Sequence, residues 1–139
     1  MTVNFEIEEN YALSYQGRHI DLHNNFDFVS YDYNIANRQL TLTWKKSIGD
    51  WVKENEASKL LLIHSNVFFL NIGYDNKEYE FPDGDNCLSD ISFFPSSDRQ
   101  INNGVIAQNK PKDEDDIIYI FETEHFIRIG CDKVELIVQ

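Results

Sequence analysis

Gln39-Leu40-Thr41-Leu42-Thr43-Trp44-Lys45-Lys46 alternates without a break. Leu40, Leu42 and Trp44 fall on one face and Thr41, Thr43 and Lys45 on the other, the period-2 signature of a strand with one buried side. Upstream, Phe26 to Tyr33 alternates too, with Val29, Tyr31 and Tyr33 opposed to Phe28, Ser30 and Asp32. The Asn-rich Asn34-Ile35-Ala36-Asn37-Arg38 between the two runs has the length and composition of a hairpin loop.

The same rhythm recurs along the chain. Leu60 to Ile63 and Val67 to Tyr74 read as strands, with His64-Ser65-Asn66 as a tight turn between them. Ile117 to Phe121 is apolar on both faces, which places it centrally in a covered sheet. A Thr123-Glu124 turn, Phe126 to Ile129, and Val134, Leu136 and Val138 follow. Val3 to Ile7 and Tyr11 to Tyr15 are weaker strands. Turn signals about every ten residues suit sandwiches and barrels. The expectation is a single all-β domain over residues 1–139, an antiparallel sandwich or partly closed barrel of about eight to ten strands. One short helix is expected at 48–58, where Ser47 and Asp50 resemble a capping box and Ile48, Trp51 and Val52 a packing stripe. Two polar connections stand out, Asp75 to Asn86 and Pro95 to Asp116, the second long enough to mark function or poor order. Asn103-Gly104 within it offers a small hairpin turn.

Twenty-four acidic residues against twelve basic ones give a formal charge of −12. That charge repels phosphate backbones and anionic membrane surfaces, so neither nucleic acid nor membrane is an expected partner. It favours solubility and fast association with a basic protein. The acidic residues Asp83, Asp85, Asp113, Glu114, Asp115 and Asp116 sit in the two long connections and are the expected partner-binding surface. Arg38, Lys45, Lys46, Lys53 and Lys59 make the segment 38–59 locally basic, a solvated face. No apolar run approaches the ~20 residues of a membrane span. Met1-Thr2-Val3-Asn4-Phe5-Glu6 lacks the basic and apolar regions of a signal peptide, so the cytoplasm is the expected compartment.

No catalytic, cofactor or metal site is expected. His19 and His23 are four apart in an alternating run, and on a strand that spacing separates them by roughly 13 Å, too far to share a metal. Asp83-Gly84-Asp85-Asn86 and Asp113-Glu114-Asp115-Asp116 lack the spacing of a calcium loop. Cys87 and Cys131 have no flanking nucleophile motif, and Cys131 continues the alternation of Ile127 and Ile129 as a buried thiol. The six glycines are scattered and form no phosphate loop.

Leu22-His23-Asn24-Asn25-Phe26 with Val29-Ser30-Tyr31, the Leu40 to Trp44 strand, Leu62-Ile63-His64-Ser65-Asn66-Val67, and Ile127 to Asp132 with Glu135-Leu136 together resemble small acidic β-rich bacterial proteins. Some of these are predicted immunity proteins of polymorphic toxin systems. The resemblance implies a cytosolic, non-catalytic protein that binds and neutralises a cognate toxin, and it carries over no catalytic residue. Three other readings compete with it: a small-molecule or carbohydrate binder using Trp44, Trp51 or several tyrosines, an enzyme whose convergent polar groups meet only in space, and a structural or assembly subunit joined through a sheet edge.

Overall fold

The computed structural model of the chain describes residues 1–74 and 86–139. The alternating run at 39–46 is one strand along its whole length, with Leu40, Leu42 and Trp44 buried. Around it the chain forms an all-β sandwich built from three sheets. The strands are β1 (Thr2–Val3), β2 (Glu6–Glu8), β3 (Ala12–Tyr15), β4 (Arg18–Asp21), β5 (Phe26–Asn34), β6 (Gln39–Lys46), β7 (Lys59–Ser65), β8 (Phe69–Tyr74), β9 (Leu88–Pro95), β10 (Asp115–Phe121), β11 (His125–Gly130) and β12 (Lys133–Val138). Those twelve strands among the described residues exceed the expected number because the N-terminal segments split into short pieces. A single helical turn, α1 (Leu22–Asn25), and a 3₁₀ turn at Ser96–Asp98 complete the elements.

The first sheet runs β1-β12-β7-β6-β5 and the second β8-β11-β10-β9. Both are antiparallel except where β1 lies parallel to β12, a departure from the expected arrangement. Register aligns the inner face of the first sheet in rows: Leu40, His64 and Val134, then Leu42, Leu62 and Leu136. The second sheet answers with Phe93, Ile117 and Ile129, then Ile91, Tyr119 and Ile127. The third sheet, β2-β3-β4, adds the row Ile7, Leu13 and Ile20 to the same apolar cluster. Each such side chain taken from water contributes roughly 1.5–3 kcal/mol.

The hairpin β5–β6 forms where expected, closed by Ile35–Arg38, but its faces differ from simple alternation. A bulge between Phe28 and Ser30 inserts Val29, so Phe28 pairs with Trp44 and shares a face with Tyr31 and Tyr33. Val29 is left exposed on an edge strand. The turn expected at His64-Ser65-Asn66 falls later, since β7 continues through Ser65. Residues 66–68 then carry the chain to the other sheet, with Asn66 at φ 55°.

His64 is therefore a core residue, wholly buried between the sheets. Its Nδ1 lies 3.0 Å from the Leu40 carbonyl, which can only accept, so Nδ1 carries the proton. Nε2 then accepts from the Tyr119 hydroxyl at 2.9 Å. Burial lowers the His64 pKa to about 4 and raises that of Tyr119, which keeps both groups neutral. Trp44 packs beside them at 5.8 Å from the Tyr119 ring, its Nε1–H without a hydrogen-bond partner among the described residues.

The outer face of the second sheet is covered by the chain's own long connection. Segment 96–114 crosses Ser92, Ile118 and Arg128, and Ile118 is fully buried beneath it. Arg128 holds this strap by donating to the carbonyls of Pro95, Asp98 and Ile101. Ser92 Oγ accepts from Ile106 N at 2.9 Å, and Asn10 Nδ2 donates to the carbonyls of Ile91 and Ile106. Asn103-Gly104 turns no strand pair. Gly104 instead lies against the Phe94 ring, where a Cβ would come within 2.2 Å.

Residues 48–58 form turns rather than the expected helix, with hydrogen bonds from Val52 N to Gly49 O and from Glu56 N to Lys53 O. Ser47 is instead tied to α1 and β5, its Oγ donating to Asp27 Oδ1 at 3.0 Å and its N to Asn25 O at 2.9 Å. The strand reading of 19–23 likewise stops at Asp21, whose carboxylate caps α1 by accepting from Asn24 N at 2.8 Å.

Candidate functional site

Of the six acidic residues expected to face a partner, the four that are described divide into an exposed and a buried pair. Asp83 and Asp85 lie outside the described residues. Asp113 and Glu114 are exposed at the end of the strap. Asp115 and Asp116 point inward and are removed from any partner surface. Asp115 accepts from Gln108 Nε2 at 2.6 Å and from Lys112 N at 2.8 Å. Asp116 accepts from Arg128 Nε at 2.9 Å, and bidentately from Arg99 Nε and Nη2 at 2.9 and 2.8 Å. Its carboxylate in turn holds the Arg99 guanidinium charged, raising its pKa. A carboxylate between two guanidiniums is satisfied on both oxygens and belongs to the interior.

Trp44 cannot stack on a ligand, because it is buried in the core. Trp51 can. It is 68% exposed, and Ile48 beside it is 98% exposed. The indole is nonetheless fixed. Its Nε1 donates to the Asn24 carbonyl at 2.8 Å, which ties the 47–58 turns to α1. The ring lies over Gly49, where a Cβ would fall 2.1–2.3 Å from ring carbons. Glycine here is what lets the indole settle in that position. Ser47 N donates to Asn25 O at 2.9 Å and closes the base of the same turn.

Beside this knob opens a cleft of about 300 Å³ lined by His23, Asn24, Asp27, Ser47, Ile48, Gly49, Trp51 and Cys87. Sequence position gave no sign that these groups meet, because they come from α1, β5, the 47–51 turns and the residue before β9.

Comparison with family models, with curated proteins and with solved structures returns no match for this chain. Among the described residues no helix is long and apolar enough to cross a membrane.

Proposed function

We propose that this chain is a non-catalytic protein-binding module of the immunity type, a cytoplasmic protein whose ligand is a basic protein such as a toxin effector. The observation that carries the reading is the exposed, immobilised indole of Trp51 next to Ile48. Large aromatic side chains held rigid at a surface lose little entropy on binding and commonly supply most of an interface's energy. The net charge of −12 supplies the second element, long-range attraction that speeds encounter with a basic partner and weakens with salt. Among the described residues of the expected acidic surface, Asp113 and Glu114 are exposed and available for it.

Affinity capture from native-host extract at low and moderate salt tests this. Wild-type protein is expected to retain one basic protein stoichiometrically, with less retained at higher salt. Trp51→Ala is expected to weaken that complex by about 2 kcal/mol or more, the scale of a hot-spot truncation. Absence of any stoichiometric partner, or equal retention by Trp51→Ala, would refute the proposal.

A further inference from the structure

Where the cleft meets the β10–β11 turn, three groups with metal-ligating chemistry converge. His23 comes from α1, Cys87 from the residue before β9, and Glu122 from the residue after β10. One ligand atom from each lies within 4.8 Å of the other two. Backbone pairing fixes part of this arrangement, since Glu122 N donates to Cys87 O at 3.0 Å. The His23 ring is half-buried, and the Glu122 carboxylate is half-exposed at the rim.

The distances distinguish two kinds of chemistry. In a nucleophilic triad the imidazole uses one nitrogen toward the nucleophile and the other toward its orienting acid. Here a single nitrogen, His23 Nδ1, faces everything: Cys87 Sγ at 3.5 Å, Glu122 Oε1 at 3.9 Å and the Leu88 carbonyl at 2.6 Å. The Leu88 carbonyl can only accept, so Nδ1 carries a proton toward it, while the Cys87 sulfur and the Glu122 carboxylate stand within 4.8 Å as two further groups able to share a cation with the imidazole. Bonds of about 2.0–2.1 Å to nitrogen and about 2.3 Å to sulfur, meeting at a tetrahedral angle, put the two ligand atoms about 3.6 Å apart. The observed His23–Cys87 separation is that of one tetrahedron edge. Glu122 needs only a small rotation of an exposed side chain to complete the third corner.

We propose that His23 Nδ1, Cys87 Sγ and Glu122 Oε1 form a binding site for a borderline-soft divalent cation of the zinc class. With three protein ligands, the fourth coordination position is open and filled by water. The imidazole, thiolate and carboxylate set selects zinc-like ions over calcium or magnesium, which take oxygen ligands. Binding moves the imidazole proton from Nδ1 to Nε2, so the ring stays neutral. The His23 ring must turn away from the Leu88 carbonyl, whose oxygen 2.6 Å from Nδ1 now occupies the direction the ion would take, and the thiol releases one proton to solvent. The ion would join α1, the start of β9 and the end of β10 at one point. This inference goes beyond the protein-binding reading and does not depend on it.

Titration of the full chain with Co²⁺, followed by displacement with Zn²⁺, provides the test. The expected result is one Co²⁺ per chain with a thiolate-to-metal charge-transfer band and visible bands of tetrahedral intensity, all abolished by one equivalent of Zn²⁺. Cys87→Ser should remove the charge-transfer band. Cys87→Ser and His23→Gln should each weaken Zn²⁺ binding by more than the roughly 10–100-fold that loss of an outer-shell partner costs. Glu122→Gln, at a half-exposed position, should weaken binding while leaving the circular dichroism spectrum unchanged, and so separates ligand loss from misfolding. Absence of the charge-transfer band in wild-type protein would overturn the proposal. So would unaltered Zn²⁺ affinity in the Cys87 and His23 variants, which would assign the metal to surface carboxylates.

Discussion

Asp116→Ala is expected to lower folding stability by about 3–5 kcal/mol, because it leaves two guanidiniums without their carboxylate, one of them with no exposure to solvent. The physical asymmetry is large. Arg128 and Asp116 are both buried, and a single carboxylate serves Arg128 and Arg99 at distances of 2.8–2.9 Å. Arg99 also lies 3.8 Å from the centroid of the Phe69 ring, so its position depends on being held toward Asp116. Removing the carboxylate therefore strands buried charge rather than exposing a solvated one. Equilibrium urea unfolding measures the loss.

Replacing both members of the inner pair by apolar residues is often harmless in other settings. Arg128→Met with Asp116→Leu is not expected to restore stability here, since Arg128 also satisfies the carbonyls of Pro95, Asp98 and Ile101. Limited trypsin digestion gives the local readout, with cleavage at Arg99 and Lys112 in the double variant well before wild type. A variant that unfolds at the wild-type urea midpoint and resists trypsin equally would show that the strap is held by something else.

The second large effect is acid sensitivity. His64 has a pKa of about 4 in the folded protein against about 6.5 for an unperturbed histidine. The folded state thus binds fewer protons than the unfolded state between those values. Stability from this group is full above about pH 6.5 and is lost as the pH falls toward 4. The difference corresponds to about 3 kcal/mol. A His64→Leu, Tyr119→Phe variant removes both hydrogen-bonding partners together and should show a shallower decline over that window. Comparing unfolding free energies of the two proteins at pH 7 and pH 4 isolates the histidine from carboxylates that titrate in both. Parallel declines would contradict the assignment of this sensitivity to His64.

These two effects also show what the linear pattern carried and what it did not. Alternation at 39–46 and 117–121 is a local property, and it located β6 and the central strand β10 directly. The bulge at Val29 is invisible to alternation, because an inserted residue preserves the composition of the run while exchanging its faces. The helix expected at 48–58 gives way to turns that are tied to distant residues, Ser47 N to Asn25 O and Trp51 Nε1 to Asn24 O, contacts that the local pattern does not carry. Asp115 and Asp116 read as part of an acidic partner-binding surface because the cations that draw Asp116 inward, Arg99 and Arg128, sit 17 and 12 positions away. His23 and Cys87 are 64 positions apart, a distance that no motif spans. The two tryptophans lie only seven positions apart in sequence, yet one is fully buried and the other is the most accessible aromatic anchor of the cleft.

The most direct test of the central claim, that a rigid indole anchors a protein partner, changes one methyl group and removes no contact side chain. Gly49→Ala places a Cβ where Trp51 ring carbons now lie and should displace the indole from its bond to Asn24. Calorimetric titration of the captured partner against wild type and Gly49→Ala should show affinity reduced about tenfold or more, a difference of about 1.4 kcal/mol. Equal affinities for the two proteins would contradict the account.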